Sequence, residues 1–363
     1  MTFEEDQFRN LMDEQTRNRD RSLIRSFAEA MPQAVVVINR NDRIVAANSA
    51  AHAILPGLQT DIPLARMLRS PDVLDAIDRV RDAGRSQRVV WSEKFPVERL
   101  FEVNIAPLAD ETFEQALILS LHDLSDARRL ERMRVDFVAN ASHELRTPLA
   151  SLLGFVETLE GPAKEDAEAR TRFLAIMREQ AQRMSRLVDD LLSLSRIEQH
   201  LHVRPETPVD LIGIFRHIAD TLSPVAEERG VDLVIEAPAE VVVPGDRDEL
   251  LRVAENLIEN SIKYGASDPA TVDRRVVVEL SEHGRQAHIA VRDFGPGIAP
   301  EHLPRLTERF YRVDAGQSRA KGGTGLGLAI VKHIVARHGG RLNIESKLKE
   351  GATFTVTLPL FEG

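Results

Sequence analysis

The residues best suited to chemistry lie in the stretch Phe137-Val-Ala-Asn-Ala-Ser-His-Glu-Leu-Arg-Thr-Pro-Leu149. On a helix drawn at about 100° per residue, the apolar residues that follow His143 share one face, and His143 points roughly opposite to it. Thr147 shares the outward side, and Glu144 is the neighbouring carboxylate. We therefore predict that the chemistry occurs at His143.

Two observations set this histidine apart from an ordinary solvated side chain. Pro148 cannot donate a hydrogen bond to the carbonyl of Glu144, so we expect the turn that carries His143 and Glu144 to be loosened or kinked. The second observation is a group of four motifs more than a hundred residues downstream.

The first of these motifs is Glu255-Asn-Leu-Ile-Glu-Asn-Ser-Ile-Lys-Tyr-Gly265. Its spacing places Asn256, Asn260 and Lys263 on one face of a helix. Amide oxygens suit a hard divalent cation that keeps most of its waters, and a nearby lysine suits phosphate oxygens. The motif therefore indicates a site for a metal–phosphate ligand, although an amide-rich helix face is often merely solvated.

Glycine-rich segments form the next two motifs. Asp293-Phe-Gly-Pro-Gly-Ile298 is a strand end followed by a turn in which backbone can approach a ligand, and the Asp293 carboxylate could accept from an exocyclic amine. Gly322-Gly-Thr-Gly-Leu-Gly-Leu328 leads into a helix whose first N–H groups could receive phosphates. A dinucleotide fingerprint is a rival for the latter, but the final glycine is missing and no strand precedes it.

Glu308-Arg-Phe-Tyr-Arg312 is the fourth motif, and it is expected in a mobile lid. Each motif alone is more often a simple turn or a solvated surface. All four in this order, after a helix hairpin with an exposed histidine, are much harder to obtain by chance.

Composition limits the class of protein. The 363 residues suffice for two to four domains, and the net charge of −10 argues against direct nucleic-acid binding. The chain has no cysteine, which excludes disulfides and thiolate chemistry. No run approaches the roughly 18 to 20 apolar residues of a membrane span, and no signal peptide pattern is present. We therefore expect a cytoplasmic chain.

The elements that must position the motifs fall into successive regions. Residues 1–24 are a charged lead-in, and residues 25–122 contain about five predicted strands with short helices, beginning with the hairpin Ala34–Ile38 and Arg43–Ala47. Residues 123–135 are a charged helix that runs without a break into residues 136–200. Residues 201–208 are a linker, and residues 209–363 alternate helices and strands as an α/β sandwich, with the first helix predicted from Val209 to Arg229.

Residues 136–200 predict a helical hairpin. The apolar stripe of its second helix follows four-three spacing and consists of Phe173, Met177, Met184, Leu187, Leu191 and Leu194, widened by Ile176, Val188, Leu192 and Ile197. One hairpin alone would leave its stripes half exposed, at a cost of about 25 cal/mol per Å² of apolar surface. We therefore predict a homodimer in which two hairpins form a four-helix bundle.

With these motifs in place, the chain resembles the sensor histidine kinases of two-component systems. His143-Glu-Leu-Arg-Thr-Pro148 resembles their phosphoacceptor box, and the four later motifs resemble their N, G1, F and G2 boxes, over roughly residues 130–360. Residues 25–122 resemble a PAS sensor module. Phe137-Val-Ala-Asn140 and Gly154-Phe-Val-Glu-Thr-Leu159 are most like the phosphate-regulon sensor kinases. The implied fold class is multidomain α+β: a PAS module, a helical-hairpin dimerisation bundle and a Bergerat-type α/β ATP-binding domain.

The resemblance implies roles for individual residues. His143 would take the γ-phosphoryl group of ATP, Glu144 would act as general base or orienting partner, and Thr147 would position water during dephosphorylation of a partner. Asn260, assisted by Asn256, would hold Mg²⁺. The remaining nucleotide contacts implied are Lys263, Tyr264, Asp293, Gly295, Gly297, Phe310, Tyr311, Arg312, Gly323, Thr324, Gly325, Leu326 and Gly327.

The implied activity is that of a protein-histidine kinase, EC 2.7.13.3, which passes its phosphoryl group to an aspartate on the receiver domain of a separate response regulator. One alternative is mainly a regulator phosphatase that uses ATP as a conformational ligand, and another is a non-catalytic scaffold. Family members often carry membrane helices before the PAS module, so the chain is either a soluble member or the cytosolic part of a membrane-associated kinase.

Overall fold

The computed structural model describes residues 25–93, 99–108, 115–265, 273–313 and 323–361. The predicted lead-in of residues 1–24 and Gly322 of the glycine-rich motif lie outside these ranges. Contacts divide the chain into two compact units, Met1–Asp136 and Phe137–Gly363. Each unit is built around its own five-stranded sheet.

The sheet of the first unit has the order β2-β1-β5-β4-β3 with all neighbours antiparallel. Its strands are β1 Ala34–Ile38, β2 Ile44–Ala47, β3 Gln87–Glu93, β4 Arg99–Pro107 and β5 Leu117–Asp123. Helices α1 Ser49–Ile54 and α2 Pro71–Ala83 complete the unit, with a 3₁₀ turn at Leu64–Arg66. The five strands predicted from alternating and β-branched residues are therefore confirmed.

The β1–β2 hairpin shows why these strands form. All five residues of β1 are buried, and the apolar side chains Val36, Ile38 and Ile44 pack into one core cluster with α1 and α2. The connection reverses at Asn39, whose side chain accepts from the backbone N–H groups of Asn41 and Arg43 at 2.9 and 3.0 Å. Such an Asx turn is a common way to close a hairpin.

Helix α3, Ser125–Glu160, runs for 36 residues and includes Pro148. The predicted continuity between the charged helix and the stretch around His143 is therefore confirmed. Pro148 is buried, and the hydrogen bond that it cannot make to the Glu144 carbonyl does not end the helix. On the outward side, the Thr147 hydroxyl donates to the His143 carbonyl at 3.2 Å.

Helix α4, Ala167–Gln199, begins at the cap Asp166 and returns as the second arm of the hairpin. Its apolar residues divide between two faces. Leu187, Leu194 and Ile197 are buried in the core cluster of the second five-stranded sheet, whereas Val188 and Leu192 are exposed. The prediction that the whole stripe serves the bundle is wrong for the first three, because one face of α4 packs against the α/β domain that follows it in the chain.

The second unit continues with a sheet of order β11-β12-β10-β9-β7, in which only β7 and β9 are parallel. Its strands are β7 Asp232–Glu236, β9 Arg275–His283, β10 Gln286–Asp293, β11 Arg341–Lys347 and β12 Gly351–Pro359. Its helices are α5 Leu211–Glu228, α6 Arg247–Gly265 and α7 Gly327–Arg337, with a 3₁₀ turn at Leu303–Arg305. The apolar faces of these helices and of the sheet share one core cluster, as an α/β sandwich requires.

A small two-stranded ladder corrects one predicted boundary. The helix expected from Val209 begins at Leu211, because β6 Pro208–Asp210 pairs with β8 Val242–Pro244. Asp210 then caps α5 by accepting from Ile212 and Gly213 N–H groups at 2.9 and 3.0 Å.

Candidate nucleotide and phosphoacceptor site

A cavity of about 480 Å³ opens between α6, the end of β10 and the start of α7. It brings together twelve of the predicted nucleotide residues, which are Asn256, Asn260, Lys263, Tyr264, Asp293, Gly297, Tyr311, Arg312, Gly323, Thr324, Gly325 and Gly327. Motifs separated by up to about seventy residues of sequence therefore line one space, which has the size of a small-molecule site.

Three predicted contacts lie outside this lining. Leu326 is fully buried in the core, and Gly295 packs so closely on Gly265 that an added Cβ would lie 2.7 Å from its Cα atom. Phe310 turns away with a φ of 63°, and its ring lies 5.9 Å from that of Phe137 on α3. These three residues therefore lie behind the residues that line the cavity and not on its surface.

Helix α6 supplies the polar face of the cavity. The side chain of Asp246 caps its first turn by accepting from the Asp248 and Glu249 N–H groups. The Asn256 side-chain amide donates to the Arg252 carbonyl at 2.8 Å, which leaves its oxygen facing the backbone of Gly327. Lys263 is only 8% exposed, and this burial lowers the pKa of its ammonium group.

Asp293 ends β10 at the inner wall of the cavity and is 5% exposed. Burial raises the pKa of its carboxyl group, while hydrogen bonds from the Gly295 and Ala352 N–H groups at 3.0 and 3.3 Å oppose that rise. A buried carboxylate oxygen with fixed orientation is suited to accept from an amine on a flat, mostly apolar ligand.

The glycine-rich segment meets the cavity at the start of α7. Gly325 has a φ of 74°, and an added Cβ would lie 2.9 Å from the Cα atom of Phe310. Thr324 donates its hydroxyl hydrogen to Asp190 of α4 at 2.8 Å and accepts from the Leu326 N–H at 3.3 Å. Gly327 and Leu328, the first residues of α7, line the cavity, where the dipole of a helix start favours phosphate oxygens.

The phosphoacceptor stretch lies beside this cavity. His143 and Thr147 are exposed on α3, whereas the Glu144 carboxylate is largely covered. It accepts from Arg312, a cavity residue, at 2.9 Å and from Arg183 of α4 at 3.3 Å. The motif expected in a lid thus contacts the hairpin, and Arg309 adds an ion pair with Glu198 and a cation–π contact with Phe137.

Comparisons with known proteins agree with this geometry. Residues 245–362 match the histidine kinase-, DNA gyrase B- and HSP90-like ATPase family, residues 133–200 the His kinase A phosphoacceptor domain, and residues 22–89 a PAS domain. The chain is 34% identical to the phosphate regulon sensor protein PhoR of Pseudomonas aeruginosa over 92% of its own length and 73% of that protein. The chain belongs to the sensor histidine kinase family.

Two further proteins are similar to this sensor kinase. The sensor protein kinase WalK of Staphylococcus saprophyticus is 32% identical over 91% of the chain, which spans 53% of that protein. The solved mycobacterial sensor histidine kinase MprB is 30% identical, with a TM-score of 0.36 over 43% of this chain and 97% of that one.

The family membership confirms the predicted multidomain fold, the ATP-binding domain and the enzyme class of protein-histidine kinase. Within the described part of the chain, the kinase has no helix with both the length and the apolar composition of a membrane span.

Sequence reasoning missed six charged residues that line the kinase cavity, which are Arg186, Asp189, Asp190, Arg252, Glu255 and Glu259. Three lie on α6, one turn or less from Asn256 or Asn260, and helical spacing could have found them. The other three lie on α4, where no local motif signals contact with a distant domain. Burial raises the pKa of the Asp190 carboxyl group, and the Thr324 hydroxyl opposes this rise.

Proposed function

We propose that the kinase transfers the γ-phosphoryl group of ATP to His143 and then to an aspartate on the receiver domain of a separate response regulator. The observation that carries this proposal is the bridge from Arg312 to Glu144, because it links the nucleotide cavity to the residue beside His143. An exposed imidazole is accessible both to ATP and to a partner protein.

The first transfer is a displacement at the γ-phosphorus. A ring nitrogen of His143 forms the new N–P bond while the bond to the β,γ-bridging oxygen breaks and ADP leaves. Glu144 orients the ring or takes the proton from its other nitrogen. In the second step the N–P bond breaks as the regulator's aspartate oxygen attacks, and the imidazole is regenerated.

The cavity residues suit ATP with Mg²⁺. The Asn256 side-chain oxygen lies against the backbone of Gly327, and Asn260 lines the cavity one helical turn further along α6, so the two amides would supply oxygen ligands to a hard cation. Mg²⁺, when bound, neutralises charge on the phosphate oxygens. Lys263 and the first turn of α7 would bind the triphosphate, and Asp293 would accept from the adenine amine.

We also propose that the kinase acts as a homodimer. In the single chain, Leu149, Leu153 and Val156 of α3 and Leu192 of α4 are exposed, with 48%, 57%, 37% and 53% of their surface accessible. A second hairpin packed on this stripe would bury it and form the four-helix bundle.

Two finer assignments complete the proposal. Thr147, exposed one turn from His143, would position the water that hydrolyses the regulator's phosphate. The likeness to a phosphate regulon sensor protein supports a role in phosphate-limitation signalling. The first assignment is tested by measuring how fast the Thr147→Ala protein dephosphorylates the regulator. The second is tested by the growth of a deletion strain in low phosphate.

The decisive test uses γ-³²P-ATP and the purified chain. Wild type should incorporate acid-labile, base-stable label, and His143→Gln should incorporate none. His217→Gln is the matched control, because His217 is also exposed on a helix. Label that persists in His143→Gln would contradict the proposal, whereas label in both wild type and His217→Gln supports it. Adding candidate regulators should then remove the label from the kinase.

A further inference from the structure

The carboxylate of Glu144 is held by two guanidinium groups that come from different parts of the chain. Arg183 approaches from α4 at 3.3 Å and Arg312 from the segment that follows Phe310 at 2.9 Å. Only 15% of the Arg183 side chain, 19% of Glu144 and 7% of Arg312 is exposed. Because charge-assisted hydrogen bonds strengthen where water is excluded, both contacts bear on the orientation of Glu144.

The two contacts differ in what maintains them. Glu144 and Arg183 lie on the two arms of one helical hairpin, so their contact is internal to that hairpin. Arg312 lies outside the helices and strands, on the wall of the nucleotide cavity. Its contact with Glu144 therefore depends on the position of the nucleotide-binding domain relative to the hairpin. Among the residues that the structure describes, the buried Nε atom of Arg312 has no hydrogen-bond partner, which leaves this side chain further donor capacity.

We propose that Arg183 is the positioning residue that holds Glu144 in its reactive orientation while Arg312 exchanges between Glu144 and the nucleotide. This inference rests on the proposed function of His143 and Glu144. Phosphoryl transfer requires the nucleotide to approach His143, and a triphosphate competes with a carboxylate for the Arg312 guanidinium. During that exchange the internal hairpin contact with Arg183 persists and keeps Glu144 beside the His143 ring.

This role predicts a loss in turnover rather than in ATP binding, because Arg183 is not one of the residues that line the nucleotide cavity in the described part of the chain. Misplaced catalytic groups typically lower rates by about ten- to a hundred-fold. Arg183→Gln should lower kcat for autophosphorylation within that range and leave KM for ATP within about two-fold. Arg183→Lys keeps the charge but loses the planar fork, so it should restore part of the rate.

The test measures initial rates of His143 labelling at several ATP concentrations in the full chain. Arg178→Gln, an exposed position on the same helix, is the matched control and should retain the wild-type kcat. Arg183→Gln is then combined with Glu144→Gln. If Arg183 acts through Glu144, the double variant should be no slower than Glu144→Gln alone.

The possible outcomes separate the two proposals. Absence of label in wild type overturns the proposed function and this inference with it. If wild type is labelled but Arg183→Gln slows the wild-type chain and the Glu144→Gln variant equally, only the role of Arg183 is overturned. A rise in KM for ATP without loss of kcat also overturns that role. Arg183→Met preserves the packing of the stem, so a melting temperature equal to wild type with the same loss of kcat supports positioning over general destabilisation.

Discussion

Asn48 in the first unit and the pair Lys263 and Asp293 in the second are all buried, but in different surroundings. In the PAS unit, Asn48 is 1% exposed and its amide is fully engaged by backbone: its oxygen accepts from Val35 and Ala51 N–H groups, and its nitrogen donates to carbonyls such as that of Gln33 at 2.7 Å. In the catalytic unit, Lys263 and Asp293 are also buried, but both line a cavity and burial shifts their pKa values toward the neutral forms.

The difference shows how to distinguish a structural polar residue from a binding one. Asn48 contributes to stability because its donors and acceptor replace the hydrogen bonds of water. Lys263 and Asp293 lose hydration without full replacement, so they retain capacity for a ligand. Such residues lower the stability of the free protein and gain their partners when the ligand binds.

The largest expected effect that tests this comparison is on ATP affinity. Asp293→Ala should weaken ATP binding by about 10- to 100-fold, the loss expected for a hydrogen bond to a charged group. Titration with a fluorescent ATP analogue measures the change. Asp220→Ala, at an exposed position of α5, should bind as wild type. If Asp293→Ala and wild type bind the ATP analogue with equal affinity, Asp293 does not contact the nucleotide.

A second effect of intermediate size concerns stability in the PAS unit. Asn48→Ala should lower the free energy of unfolding of that unit by about 2 kcal/mol, because a cap and buried backbone partners are lost together. Denaturant unfolding followed by the fluorescence of Trp91 reports on this unit, and Asn41→Ala in the exposed turn is the control. A change in ATP affinity in Asn48→Ala would contradict the assignment of a structural role to Asn48.

The smallest effect is a pH dependence. Because the folded-state pKa of Asp293 is raised, ionised Asp293 destabilises the fold above that pKa, and this cost disappears at low pH where the group is protonated in both states. Asp293→Asn should therefore raise the melting temperature by a few degrees at pH 7.5, and the gain should shrink as the pH falls toward 4. A gain that grows on acidification would show the opposite pKa shift.

Much of this architecture could be predicted from local sequence. Alternating apolar residues identify the PAS strands. The motifs around Asn256, Asp293 and Gly325 predict the cavity residues, because each motif combines a backbone feature, such as a helix face or a glycine turn, with groups that can bind a ligand. The helix start at Leu211 was missed, since the pairing of Pro208–Asp210 with Val242–Pro244 is a contact between distant segments. Local periodicity carries no information about such pairing.

The same limit applies to the site. The apolar stripe of α4 predicts that Leu187 and Leu194 are buried, but not which neighbour covers them, because the spacing of apolar residues does not identify the element packed against them. Arg183 and Asp190 were missed for the same reason. Their roles depend on Glu144 and Thr324, which lie 39 and 134 residues away in sequence.

The division of α4 into two apolar faces has a mechanical consequence. Leu187 and Val188 are adjacent in sequence, so they are separated by about 100° around the helix axis. One packs on the catalytic domain and the other is exposed on the hairpin. A rigid helix has a single rotation about its axis, so any turn that repacks Val188 displaces Leu187 by the same angle. Rotation of α4 therefore changes two surfaces at once: the one that packs on the catalytic domain and the exposed one on which a second hairpin is proposed to pack.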